Sequence, residues 1–128
     1  MPAAIALNPA EHITFDRDRL FRVCDDKGID AEHYLMNALT EIESLVEVAE
    51  TQANDAEGLA RTCSRLMRRA GEIGMVTVED VARSVIDCLL EGNQYGLRAC
   101  HARLVRLGRP GAIADWSFAR AMQPDGAA

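Results

Sequence analysis

The chain has 128 residues, enough to bury one core and too few for two domains of ordinary size. Apolar residues make up 48% and charged residues 27%, close to the globular average, which excludes disordered and fibrous classes. The formal charge of −6, from 14 Lys and Arg against 20 Asp and Glu, argues against a general nucleic-acid binder, whose affinity rests on neutralising phosphates.

Residues 1–13 hold Pro2, Asn8 and Pro9 without sustained periodicity and read as a flexible lead-in. A short helix is expected over 16–26, with Leu20, Phe21 and Cys24 on its apolar face and Lys27-Gly28 as its stop. Asp30 is placed to cap a long second helix, along which Leu35, Ala38, Leu39, Ile42, Leu45, Val46 and Ala49 recur at steps of three and four. Its other face carries Glu41, Glu43, Glu47 and Glu50. Asn54 with Glu57 has the spacing of a capping box and opens a third helix, whose stripe is Leu59, Cys63, Leu66, Met67, Ala70 and Ile73 before Gly71 and Gly74 fray it. Thr77 with Asp80 suggests the same device for a fourth helix burying Val78, Val81, Ala82, Val85, Ile86 and Leu89, stopped by Gly92-Asn93. The fifth runs from about Gln94 to Leu107, presents Leu97, Cys100, Leu104 and Leu107, and ends at Gly108-Arg109-Pro110-Gly111. A last short helix at 112–122, within a tail spanning 111–128, would put Ile113, Trp116, Ala119 and Met122 on one face.

No segment alternates with period two, so the expected fold is all-α: an up-and-down antiparallel four-helix bundle over 14–110, with the short N-terminal helix across one open end and a helical C-terminal tail. No apolar run approaches the roughly 20 residues that span a bilayer, and the N-terminus does not read as a signal peptide, which points to a cytoplasmic protein without a membrane partner. Cys24, Cys63, Cys88 and Cys100 each fall on an apolar stripe and are expected as buried reduced thiols; a thiolate cluster of Cys63, Cys88 and Cys100 is the less favoured reading. Neither C-x-x-C, H-E-x-x-H nor a phosphate-cradling glycine loop occurs, so no metal and no cofactor is expected. The stretch 77–85 faintly suggests the first helix of a helix-turn-helix reader, but a continuous apolar helix follows it, which disfavours DNA binding.

The segment Leu59 to Met75 resembles the signature helix of histidine-phosphotransfer (HPt) domains, A-H-x-L-K-G-x-A-x-x-I-G-A. Leu66, Ala70, Ile73 and Gly74 match it, and the following helix and Gly92-Asn93 turn stand where the family has them. The departures fall on the chemistry: Ser64 stands at the phosphoacceptor histidine, Met67 at the lysine and Arg68 at the glycine. An imidazole nitrogen accepts and returns a phosphoryl group, whereas a serine ester is too stable for a reversible relay, so no catalytic residue is assigned and an enzyme is not expected. The resemblance implies a two-component signalling module that binds a response-regulator receiver or histidine-kinase domain without carrying phosphate.

A helical wheel turns Arg61, Ser64, Arg65 and Arg68 to solvent, and with Arg69 they form the expected partner-binding face. Against this stands an ordinary solvated face whose arginines pair with neighbouring carboxylates. His12, His33 and His101 lack the family's surrounding pattern and read as helix-flank histidines rather than phosphoacceptors. The alternative function is a homo-oligomeric structural bundle that associates through the region of Trp116.

Overall fold

A computed structural model describes residues 13–108, which fold into five α-helices and no strand among the described residues. They are α1 (Arg17–Lys27), α2 (Ala31–Glu50), α3 (Ala56–Glu72), α4 (Val76–Glu91) and α5 (Gln94–Leu107), with a 3₁₀ turn at Gly28–Asp30 between the first two. Helices α2 to α5 pack in an up-and-down bundle, α3 between α2 and α4, and α5 against α4 and α2. Met1 to His12 and the expected tail 111–128, with its short helix and Trp116, lie outside the described residues.

One core holds the elements together. The predicted stripes of α2 and α3 are buried almost as read, joined by Leu20, Met75, Val78, Val81, Ala82, Val85, Leu104 and Leu107. Met67, Ile86, Leu89, Leu97 and Cys100 pack at its margin. Phe21 departs from expectation: it is 42% exposed, because α1 touches the bundle along a strip only wide enough for Leu20 to reach the interior. Of the cysteines only Cys63 is buried; Cys24, Cys88 and Cys100 are half-buried, which corrects the reading of four core thiols.

Two caps also differ from the sequence reading. On α3 the capping residue is Asp55, whose Oδ1 accepts from the Gly58 N–H at 3.0 Å, not Asn54. Helix α4 begins at Val76, so Thr77 lies inside the first turn and caps nothing. Its hydroxyl instead accepts from the Thr14 backbone N–H at 2.8 Å, tying the incoming chain to α4. Asp30 holds the N-cap position of α2 without a side-chain bond. Asn93 caps α5 through Gly96 N–H at 2.9 Å, directly after Gly92 ends α4 in the left-handed conformation.

The α3–α4 turn is the tightest joint. Gly74 takes φ +74°, the Met75 N–H donates to the Ala70 carbonyl at 2.8 Å, and the Asp16 N–H donates to the Gly74 carbonyl at 2.7 Å. A Cβ on Gly74 would stand 2.8 Å from the Asp16 carbonyl oxygen, so glycine is required both for the backbone conformation and for the passage of the N-terminal segment. Arg19 completes the clasp: its guanidinium donates to Asp16 Oδ2 at 3.2 Å, to the Gly71 carbonyl at 3.0 Å and to Glu79 Oε1 at 3.2 Å. Thus α1 covers the end of the bundle where α3 meets α4. At the other end His101 Nε2 lies 2.8 Å from the Ala49 carbonyl; a carbonyl only accepts, so this nitrogen carries the proton and closes the last turn of α2.

Gly74→Ala should lower stability by about 2–3 kcal/mol, combining left-handed strain with the Asp16 contact. Gly92→Ala should cost only about 1 kcal/mol, since φ there is +68° but nothing lies within 4 Å of its Cβ position. Urea unfolding of both variants measures the difference.

The Asp16 carboxyl is held below its ordinary value of 3.8, first by the Arg19 backbone N–H and then by the Arg19 side chain. A pKa lowered by folding adds stability that is complete above the unfolded value and is lost as pH falls through the folded one. Asp16→Asn keeps a competent cap and removes the charge, so its deficit in melting temperature against the parent chain should be present at about pH 6 and shrink by about pH 3.

Candidate functional site

The outward face of α3 is built by the geometry of a helix clamped on both sides. Leu59, Cys63, Leu66 and Ala70 take the inward stripe, and α2 and α4 flank them. At 100° per residue the remaining outward arc carries Arg61, Ser64, Arg65 and Arg68, and all four are exposed. Ser64 has Arg61 one turn before it and Arg68 one turn after it, so the hydroxyl sits within a basic stripe. Among the described residues none forms a salt bridge or side-chain hydrogen bond with Arg61, Arg65 or Arg68. The expectation that carboxylates on neighbouring turns absorb these charges therefore does not describe these three.

It does describe Arg69, which is 19% exposed and turned towards α2. Its Nε donates to Glu41 Oε1 at 3.0 Å, its Nη1 donates to the Tyr34 hydroxyl at 3.1 Å, and Glu72 Oε2 lies 3.6 Å away. The guanidinium carbon stands 5.2 Å from the Tyr34 ring centroid, while Lys27 covers the same ring at 4.5 Å. Burial opposes the charge of Arg69, but the Tyr34 hydroxyl and the two carboxylates outweigh it and raise its pKa above the ordinary value. Arg69 is thus a tie between α2 and α3, set apart from the exposed face to which sequence reading had assigned it. The position of α2, unknown from the sequence, decided its side.

Met67 packs against the core margin, and Arg68 is exposed. His33 is exposed in the first turn of α2, His101 is engaged with Ala49, and neither lies on α3; His12 falls outside the described residues. No group of three or more His, Cys, Asp or Glu able to hold a metal occurs among the described residues. No helix among them is long and apolar enough to cross a membrane. An open depression of about 590 Å³ lies along α1, lined by Arg19, Arg22, Val23, Asp25, Asp26 and Glu72; its mixed charges do not converge on a point, and Arg19 is already engaged in the clasp.

Comparison of the chain with protein-family models, with curated proteins and with solved structures gives no match.

The two kinds of arginine should separate by mutation. Arg61→Ala, Arg65→Ala and Arg68→Ala should each change stability by less than about 0.5 kcal/mol, as free surface residues do. Arg69→Ala should cost about 1–2 kcal/mol through loss of a partly buried network. Chemical denaturation of the four variants provides the check.

Proposed function

We propose that the chain is an HPt-like signalling module that docks an acidic receiver domain of a response regulator, or its kinase, through the outward face of α3 without itself carrying phosphate. One observation carries this reading: Arg61, Arg65 and Arg68 surround Ser64 on an exposed helix face, with no ion pair to them among the described residues although the protein as a whole is acidic. Three guanidinium groups held at helical spacing favour encounter with a surface of clustered carboxylates, and such complementarity acts on association rate and on the choice of partner. In HPt domains the equivalent face is the one that meets the receiver, whose phosphorylation cleft is acidic. Further support comes from the residues that match the family, Leu66, Ala70, Ile73 and Gly74, all of them buried and setting the packing and the end of α3.

Serine at position 64 removes the reversible carrier. A seryl phosphate ester does not readily return its phosphoryl group to an aspartate, so the role left to the face is binding. The module would then sequester or orient a receiver domain and compete with a true phosphotransfer domain for it.

Receiver domains from the source organism, titrated with the purified chain, should include one that binds and retains its aspartyl phosphate. Arg61→Glu with Arg68→Glu should weaken that complex by about tenfold or more, while raised salt weakens the parent complex. Transfer of phosphate to any residue of this chain, or binding unaffected by the double charge reversal, would sink the proposal.

A further inference from the structure

The turn at Gly92-Asn93 makes α4 and α5 an antiparallel hairpin, with Cys88 four residues before Gly92 and Cys100 seven residues after Asn93. The contact there is close because Gly96 lies one helical turn before Cys100: a Cβ on Gly96 would stand 2.9 Å from the Cys88 sulfur. Sγ of Cys88 therefore rests against the face of α5 that carries Gly96 and, one helical turn further on, Cys100. Both residues are half-buried, leaving a path for a small oxidant.

The other two cysteines lack this arrangement. Cys63 is fully buried, and loss of hydration alone pushes its thiol up to about 12, which leaves essentially no thiolate to react. Cys24 lies on α1, at the opposite end of the bundle.

We propose that Cys88 and Cys100 form an oxidisable dithiol that closes to an intramolecular disulfide on exposure to a hydroperoxide. Cys100 sulfur attacks the peroxide oxygen, the O–O bond breaks, and the thiol proton leaves with the departing oxygen as water or alcohol, giving a sulfenic acid. Cys88 sulfur then attacks that sulfenic sulfur; the S–O bond breaks, and the expelled hydroxide takes the Cys88 proton and leaves as water. Two electrons pass from the sulfurs to the peroxide. The order of attack follows from the surroundings of Cys88: burial first, then the Cys100 sulfur and the Glu91 and Asp87 carboxylates, raise its thiol above the ordinary value and suit it to the second step. The bond would lock α5, which carries His101, Leu104 and Leu107 against the rest of the bundle, to α4.

The full chain, treated with a small excess of hydrogen peroxide, should lose the mass of two hydrogen atoms as a monomer, and peptide mapping should join Cys88 to Cys100. Its melting temperature should rise by ~5 °C or more and return on reduction. Cys88→Ser and Cys100→Ser should each abolish the mass loss, and Cys24→Ser should preserve it. Since serine is nearly isosteric with cysteine, these variants should fold; differential alkylation of the parent chain gives an independent reading, with only Cys88 and Cys100 protected after oxidation. A bridge that includes Cys24 or Cys63, an intermolecular dimer, or gain of oxygen on one cysteine without the bridge would overturn the proposal.

Discussion

The described structure depends on the joint at Gly74. A helix that buries one stripe needs its neighbour to return directly alongside it, and the three-residue link Ile73 to Met75 between α3 and α4 allows this only with a left-handed residue at its centre. The same carbonyl that the turn exposes accepts the Asp16 N–H, and Arg19 spans from Asp16 to Gly71 and Glu79. One small residue thus sets the pairing of α3 with α4 and the seat of α1 together.

Clamping α3 between α2 and α4 also divides its charges. Arg69 falls on the α2 side, where Tyr34 and Glu41 convert a partly buried cation into a cross-helix tie. A carboxylate, an aromatic hydroxyl and a ring face together compensate for the lost hydration, which a single exposed pair would do poorly. Arg61, Arg65 and Arg68 fall outside the reach of α2 and stay exposed, with no ion pair among the described residues. The glutamates Glu43, Glu47 and Glu50 of α2 form no ion pair with these arginines, so the acidic helix and the basic stripe remain separate features of the surface.

The hairpin of α4 and α5 illustrates the opposite case, in which small residues rather than charges control contact. Gly96 lets α4 approach α5 until the Cys88 sulfur occupies the space a side chain would fill. Gly108 does the same where α5 ends, since any Cβ there would collide with Val46 of α2. Close backbone approach at both positions draws the last helix against the bundle although it contributes only Leu104 and Leu107 as fully buried large residues.

Periodicity and stop signals in the sequence determined the all-α class, the number of bundle helices, the inward stripes of α2 and α3 and the limits of α5, because each rests on residues within one or two turns of one another. Exposure of Arg61, Ser64, Arg65 and Arg68 was legible for the same reason: a helical wheel needs no neighbour to know which arc opposes the apolar one. Cap identities at Asp55 and Met75 slipped by a residue or two, since several polar residues compete at each start and backbone geometry chooses among them. Tertiary structure alone decided that Arg69 turns to Tyr34, that Thr77 serves Thr14 rather than its own helix, that Arg19 bridges two helices, and that the Cys88 sulfur lies against Gly96 while Cys63 is sealed away. Those outcomes depend on which helix lies beside which and how closely, and the spacing of residues along one chain does not encode the distance to another.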